Sequence, residues 1–329
     1  MKKLSLPIVL FIVAALALSL MAPRAAANRY QLLIYNLALI YIILTLGLNF
    51  PLGYCGQASM GHAALWGIGA YTVAILATRF HWSAYLTIPA AILVTLLCGL
   101  LLGLPTSRLK GRYLALATMA FGEITVLVLL NWAKVTGGPN GILGIPAPVI
   151  LGYAFDNHQK MYYFTWVLAV LALLATMAVE HSKLGRAMKA VRENELAAEV
   201  LGVPTYRIKV LAFLLASVYA AVAGACYVYM QGYVDPMTFV QFESLRVITM
   251  LYIGGAGTVV GPILGAFLLT LLPEFMRGLK DYYMAIYGVG VVLLMIFMPA
   301  GLYGLAHKLK ERFSESAYVR KTVSVPNGR

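Results

Sequence analysis

The sequence has few charged residues, and this scarcity excludes an ordinary soluble domain. Only 11% of the 329 residues are charged, whereas 61% are hydrophobic, and the mean hydropathy is +0.83. Soluble domains carry about 25% charged residues, since their surfaces face water. We therefore expect an integral membrane protein.

Several chemical signatures are also missing. The three cysteines, Cys55, Cys98 and Cys226, show no pairing pattern, so no disulfide framework is expected. The five histidines are scattered without ligand spacing, and no nucleophile stands beside a base. No GxxxxGKS/T phosphate loop is present, so the chain is not expected to hydrolyse ATP. We predict no catalytic residue, no metal and no cofactor.

Long apolar runs are abundant instead. Six uniform runs each approach the ~20 residues that cross a bilayer as a helix: 4–22, 31–50, 84–104, 161–179, 210–230 and 283–305. Three less uniform runs are 57–78, 113–132 and 245–273. The predicted fold class is therefore an all-α polytopic membrane protein with about eight to ten transmembrane or re-entrant helices.

The basic residues predict the topology. The formal net charge is +13, but the basic residues form no single stripe, so nucleic acid is not predicted as a partner. They mark four cytosolic segments: Lys2 and Lys3; Arg108, Lys110 and Arg112; the six basic residues within 180–209; and Lys308, Lys310, Arg312, Arg320 and Lys321. Both termini are predicted to be cytosolic, in a multi-pass protein of the bacterial inner membrane.

A cytosolic carboxyl end requires the run 245–273 to return to the side it left. The interruption from Gly254 to Thr258, with Pro262 soon after, predicts two half-helices that meet and turn back. The alternative is one kinked span that places the tail outside. The segment 1–30 is either a first transmembrane helix or signal-like, the membrane domain covers 31–305, and 306–329 forms a basic cytosolic tail.

One charged island interrupts the apolar sequence at residues 180–209. It holds ten of the 37 charged side chains (25 basic plus 12 acidic), and such a segment cannot lie in hydrocarbon. Apolar residues recur at helical spacing, and they are Leu184, Ala187, Met188, Val191, Ala198 and Leu201. Ser182 and Asn194 are predicted to cap two helices, with Glu195 in the second helix's first turn and a stop at Gly202 and Pro204. The apolar stripe either docks a partner protein or rests on the chain's own helices.

Two glycine-rich stretches mark candidate positions for a solute path. One is GYCGQASMGHAALWGIGAY at 53–71, with Gln57 and Ser59, and the other is GGAGTVVGPILGA at 254–266, with Thr258. Glycine at this density permits either tight helix packing or unwound backbone that lines a cavity. The hydroxyl residues between glycines also suggest a degenerate internal repeat.

Glu123 is a further candidate, because it lies in the middle of an apolar run. An ionisable group at that depth must face the bundle interior, a cavity or a partner. It either lines the path, where it attracts a substrate ammonium, or joins neighbouring helices through hydrogen bonds.

Taken together, these stretches resemble the LivM-type permeases of branched-chain amino acid ABC importers. The resemblance runs from about Leu44 to Gly304 and also includes LKGRYLALATMAFGEI, TGGPNGI at 136–142 and GRAMKAVRENELAAEVLGV. It implies a second related permease subunit, two cytosolic ATPase subunits, an extracytoplasmic solute-binding protein and membrane lipid as partners. The island would be the coupling segment, and the residues that would seat in the ATPase groove are Gly185, Arg186, Ala187, Arg192, Glu193, Asn194, Ala197, Ala198 and Gly202.

The implied function is a permease subunit of an ATP-driven importer, not an enzyme, with leucine, isoleucine and valine as substrates. Urea or short-chain amides are the alternative substrates that the same resemblance permits. A different class, an ion-coupled secondary transporter, shares the many helices and the buried carboxylate. It differs in needing no ATPase.

Overall fold

The computed structural model describes residues 28–150 and 152–275, with Pro23 and short pieces at 288–289, 292 and 301–304. The predicted run 4–22, almost all of 283–305 and the tail 306–329 lie outside the described residues. So does nearly all of the segment 1–30.

Helices dominate the described chain. In order they are α1 (Arg29–Leu48), α2 (His62–Arg79), α3 (Ala84–Thr106), α4 (Arg112–Asn131), α5 (Ala133–Thr136), α6 (His158–His181), α7 (Lys183–Glu193), α8 (Glu195–Val200), α9 (Thr205–Gln231), α10 (Gln241–Gly254) and α11 (Val260–Phe275). A π-helical turn, Asn49–Tyr54, extends α1, and 3-10 turns lie at Gly138–Asn140 and Pro236–Phe239. Four two-residue strands are β1 (Ile142–Leu143), β2 (Val149–Ile150), β3 (Tyr153–Ala154) and β4 (Tyr233–Val234).

Five of these segments are long and apolar enough to cross a membrane. They are Arg29–Tyr54, Ala84–Thr106, Arg112–Asn131, His158–His181 and Thr205–Gln231. They coincide with the predicted runs 31–50, 84–104, 113–132, 161–179 and 210–230. The chain is an all-α polytopic membrane protein, as predicted. In the run 57–78 the helix begins only at His62, because the first glycine-rich stretch is irregular before that residue.

The helices α1 and α9 form the centre of the bundle. In α1 with its π-helical turn and in α9, 72% of the most apolar stretch of the helix is buried inside the bundle. The corresponding fraction is 28% in α4 and 33% in both α3 and α6. Small residues bring α2 against α9, since a Cβ on Gly69 would lie 2.6 Å from the Cα of Ala221. This part of the glycine-rich stretch therefore serves tight helix packing. The outer helices turn apolar faces outward, towards lipid or another chain.

The bundle has two distinct ends. At the strand end, β1 pairs with β4 in antiparallel fashion, and Ile145 donates to the carbonyl of Gly232 at 3.0 Å. At the basic end, the Tyr206 hydroxyl donates to the carbonyl of Leu104 at 2.9 Å. Residues 142–145 and 232–234 thus lie together at the strand end, and Leu104 and Tyr206 lie together at the basic end, named for neighbours such as Arg108 and Arg207.

Two breaks interrupt the helices within the bundle. The first break covers the π-helical turn and residues 55–61, and the second covers residues 255–259 between α10 and α11. Across the second break, backbone near Gly254 meets Gly261 and backbone near Met250 meets Gly265. This register is that of an antiparallel hairpin. The predicted pair of half-helices that meet and turn back is therefore present, and a single kinked span is not.

Candidate functional site

The island 180–209 folds as the two predicted helices, α7 and α8. The Ser182 hydroxyl accepts from the backbone N–H groups of Leu184 at 3.1 Å and Gly185 at 3.3 Å. The Asn194 side chain accepts from the N–H of Ala197 at 3.0 Å. Both residues satisfy donors that the first turn of a helix leaves free. Gly202 ends the pair with a positive φ of 83°, which glycine adopts without strain.

One face of this pair packs on the membrane domain. Met188 is 0% exposed and Val191 is 5% exposed, so the predicted stripe is buried within the chain at these positions. Gly185 is buried against the end of α6. A side chain would not fit there, because a Cβ would lie 2.3 Å from the carbonyl oxygen of Val179. Ala198 is also buried, and Ala187 is half-buried. These small residues let the pair lie close to the bundle.

The opposite face of the pair is exposed. Among the predicted ATPase contacts, the exposed ones are Arg186, Arg192, Glu193, Asn194, Ala197 and Gly202. Sequence reasoning missed an apolar patch beside them, formed by Leu196, Val200 and Leu201, which are 68%, 87% and 83% exposed. The predicted helical stripe included Leu201, but this residue lies just outside α8, which ends at Val200. We call these three residues the apolar patch.

Ion pairs fasten the helix pair to the bundle. The ammonium of Lys209 lies 2.5 Å from the carboxylate of Glu195, and Lys110 lies 3.9 Å from the same carboxylate. Lys209 is 5% exposed, and a charge so buried requires a partner of opposite sign. Lys189 pairs with Glu180 at 2.7 Å. The orientation of α8 is thus set by charges on α9 and on the α3–α4 connection.

The two breaks meet at the side chain of Asn49. Its Nδ2 donates to the carbonyl of Thr258 at 2.8 Å, and its Oδ1 accepts from the N–H of Gly257 at 2.8 Å. The Thr258 hydroxyl accepts from the N–H of Gly261 at 3.0 Å and so caps α11. One side-chain amide therefore pairs with a backbone N–H and a backbone carbonyl of the second break. These groups need such a partner, because no regular helix supplies one within the break.

Arg192 completes this junction from the cytosolic helix pair. Although part of its side chain is exposed, its Nη1 donates to the carbonyl of Gly53 in the first break. We call the meeting of Asn49, Arg192 and the two breaks the glycine junction. A Cβ on Gly53 would overlap the Asn49 side chain and lie 2.7 Å from the N of Gly257. Glycine is therefore required at position 53, because the two breaks approach each other closely there.

The candidate path residues Gln57, Ser59 and Thr258 all lie in the breaks. Gln57 is 4% exposed and Ser59 is 3% exposed. Among the described residues, neither amide atom of Gln57 has a hydrogen-bond partner. Helix α4 lies against the first break, where the N–H of Met60 donates to the Thr118 hydroxyl at 2.9 Å. A buried amide without a partner is costly, so this position suits a polar ligand or water.

Glu123 lies elsewhere, on the outer face of α4. It is exposed, as are its neighbours Ile124 at 59% and Leu127 at 55%. At the preceding residue, which is buried, a Cβ on Gly122 would lie 3.0 Å from the Gln241 Oε1. The structure does not bring Glu123 into the same enclosed site as Gln57. An exposed carboxylate on an apolar transmembrane face requires something other than lipid beside it.

Comparison with known proteins identifies the family. The family model described as "Branched-chain amino acid transport system / permease component" matches residues 31–299. The chain belongs to this permease family. The permease is 37% identical to the high-affinity branched-chain amino acid transport system permease protein LivM of Escherichia coli (strain K12), over 316 residues that cover 89% of this chain and 74% of the relative. No solved structure matches the permease.

Other relatives are similar. The permease is 36% identical to LivM of Salmonella typhimurium, with the same two coverages, 89% and 74%. It is 23% identical over 284 residues to the permease protein LivH of Escherichia coli (strain K12), which covers 80% of this chain and 91% of the relative. The family match spans both breaks and the helix pair, so every residue of the glycine junction lies within it.

Proposed function

We propose that this chain is the inner-membrane permease subunit of an ATP-driven ABC importer for leucine, isoleucine and valine. The family match over residues 31–299 and the LivM relatives carry the proposal. The permease family match favours a transporter subunit over an enzyme, and the sequence holds no phosphate loop. ATP hydrolysis belongs to two separate ATPase subunits.

The distribution of charge supports a cytosolic position for the basic end. Nine described basic residues lie there, and they are Arg108, Lys110, Arg112, Lys183, Arg186, Lys189, Arg192, Arg207 and Lys209. Four lie at the strand end, and they are Arg29, Arg79, Lys134 and Lys160, while Arg246 lies in the second turn of α10, paired with Glu243. Connections rich in lysine and arginine remain on the cytosolic side of bacterial inner membranes. The strand end then faces the extracytoplasmic solute-binding protein.

The helix pair is the ATPase docking surface in this proposal. The apolar patch is exposed at the basic end, and three such side chains offer about 1.5–3 kcal/mol each when a partner buries them. Arg186, Glu193, Asn194, Ala197 and Gly202 surround the patch with polar groups and backbone. Gly185, Ala187 and Ala198 contribute by keeping the pair close to the bundle, since each is wholly or partly buried.

The outer face of α4 is the surface for the second permease subunit, of the LivH type. Its exposed apolar residues include Leu116, Ile124 and Leu127, with Glu123 among them. A carboxylate on this face is tolerated at a subunit interface that holds the solute path, where it attracts the ammonium group of an amino acid. Gln57, Ser59 and Thr258 contribute polar groups at a separate place, in the breaks inside the subunit, where Gln57 and Ser59 are buried.

The experiment that tests the proposal combines assembly with transport. The chain is co-expressed with the candidate second permease and ATPases, purified in mild detergent and reconstituted with the binding protein. We expect ATPase subunits to co-purify and labelled leucine, isoleucine and valine to accumulate only with ATP. Uptake of urea or amides instead would change the substrate, and uptake without ATPases would identify an ion-coupled carrier.

A variant focuses the same test on the apolar patch. Replacing Leu196, Val200 and Leu201 with serine removes the exposed apolar surface without touching the buried face. We expect ATPase co-purification to fall at least about tenfold, because the variant loses the apolar burial of three side chains, about 1.5–3 kcal/mol each when fully buried. The matched control is Val149→Ser together with Leu143→Ser at the strand end, where both side chains are also exposed. Equal co-purification of the two variants would contradict the docking assignment.

A further inference from the structure

Arg192 reaches from the cytosolic helix pair into the place where both broken helices meet. Its Nη1 donates to the carbonyl of Gly53 in the first break. A Cβ on Gly257 in the second break would overlap the same guanidinium nitrogen. A Cβ on Gly56 would lie 3.2 Å from the Cγ of Arg192. One side chain therefore contacts both breaks.

The chemistry of the contact suits arginine. Gly53 lies in the last turn of the π-helical segment Asn49–Tyr54, where carbonyl groups have no partner further along the helix. The end of a helix that exposes carbonyls favours a positive charge. The guanidinium is permanently charged and carries donors on a rigid plane at the end of a long stem. It therefore holds the break from a helix that lies outside it.

The groups of the glycine junction are in direct contact with one another. The Asn49 side chain holds Gly257 and Thr258 at 2.8 Å each, and Gly53 lies directly against both Asn49 and Gly257. Met188 and Val191 anchor α7 on the bundle, with exposures of 0% and 5%. A displacement of α7 must therefore either carry the two breaks with it or break the Arg192 contact.

We infer that Arg192 is a positioning residue that transmits movement of the helix pair to both broken helices. This inference rests on the proposed function, and it assigns Arg192 a role inside the subunit instead of a contact in the ATPase groove. The two breaks respond together, because Asn49 joins them and Arg192 contacts each of them. The ATPase contacts the apolar patch and moves the helix pair, and the Arg192 contact couples that movement to the two breaks in the membrane domain.

A native cysteine reports on this movement. Cys55 follows Gly53 by two positions and is 4% exposed, so its thiol is shielded while the junction is intact. Cys226 is fully buried and Cys98 is half-buried. Replacing both with serine leaves Cys55 as the native thiol of this chain. Its rate of maleimide labelling then measures opening of the first break.

The test uses the full reconstituted complex, with and without a non-hydrolysable ATP analogue. In the Cys55 background we expect the labelling rate to change about tenfold between the two states, a typical coupling between sites. With Arg192→Gln we expect that change to fall below about twofold and uptake to fall about tenfold. ATPase co-purification should remain unchanged, because the apolar patch is intact.

The matched control is Arg207→Gln. Arg207 is exposed at the same end of the bundle, and the substitution removes the same charge, so labelling and uptake should both be retained. Loss of ATPase co-purification in Arg192→Gln, or normal uptake in that variant, would overturn the inference. So would a Cys55 labelling rate that ignores nucleotide in the otherwise unaltered complex, a result that does not depend on the folding of any Arg192 variant. Failure of the proposed function is distinct, since it appears as absent ATPases or ATP-independent uptake.

Discussion

At the scale of single residues, the glycine junction depends on groups whose sequence signal is weak. Asn49 lies at the end of an apolar run and gives no indication that its amide bonds backbone more than 200 positions away. Gly53 and Gly257 stand in motifs that the sequence does reveal. Only the structure shows that Gly53 and Gly257 lie in contact, because the spacing of two distant motifs does not indicate whether they meet.

The amide of Asn49 is expected to stabilise the contact between the breaks. Asn49→Ala leaves the N–H of Gly257 and the carbonyl of Thr258 without their partner, and each such loss costs about 1–3 kcal/mol when the group is buried. We predict a lower melting temperature in detergent and reduced uptake. Asn131→Ala is the control, because its Nδ2 donates only locally to the carbonyl of Leu127, at 2.8 Å, on an exposed surface. Equal melting temperatures for the two variants would contradict a structural role for Asn49.

At the scale of elements, local chemistry predicted the helix pair with good accuracy. Ser182, Asn194 and Gly202 begin and end helices where the sequence placed them, since caps depend on neighbouring residues alone. Leu201 was counted in the helical stripe but lies outside α8, because the chain leaves helical geometry just before it and periodicity no longer applies. The start of α2 at His62 was missed for a related reason, since hydropathy does not register an unwound stretch.

The cap of α7 provides a prediction at this scale. Ser182→Ala removes the side chain that accepts from Leu184 and Gly185, at a cost of about 1 kcal/mol to the helix. We expect faster hydrogen exchange of the α7 amides and weaker coupling of ATP hydrolysis to uptake. Ser83→Ala is the matched control, because Ser83 occupies the N-cap position of α3 without accepting a hydrogen bond from it. A similar effect of both substitutions on α7 exchange would count against the cap.

At the scale of the whole molecule, hydropathy predicted the five described segments that are long and apolar enough to span a membrane, whereas the orientation inferred from charge stays a prediction. What neither predicted is which faces meet, because helix association in membranes depends on small residues and shape more than on apolarity. The central place of α1 and α9 and the outward position of Glu123 therefore emerge only from the structure. A carboxylate within an apolar run has the same sequence signal whether it faces the core of its own subunit or a neighbour.

The positions of the two ends of the described chain bear on the termini. Helix α1 begins and α11 ends at the strand end, where the Tyr30 hydroxyl donates to Glu274 at 2.9 Å. The apolar runs 4–22 and almost all of 283–305 lie outside the described residues, so the cytosolic position of both termini stays a prediction. The proposed orientation therefore depends on the charge count at the basic end.

Cysteine labelling tests that orientation directly. In a background without native cysteines, Val200→Cys places a thiol at the basic end and Leu143→Cys places one at the strand end, at positions 87% and 73% exposed. An impermeant maleimide should label position 143 in spheroplasts and position 200 only in inverted vesicles, and a carboxyl-terminal tag should be digested by protease in inverted vesicles alone. Labelling of both cysteines from one side would contradict the two-ended bundle. Labelling with the sides reversed would leave the fold intact but would contradict the charge rule, because the end rich in basic residues would then face away from the cytosol. The helix pair would in that case be out of reach of any cytosolic ATPase.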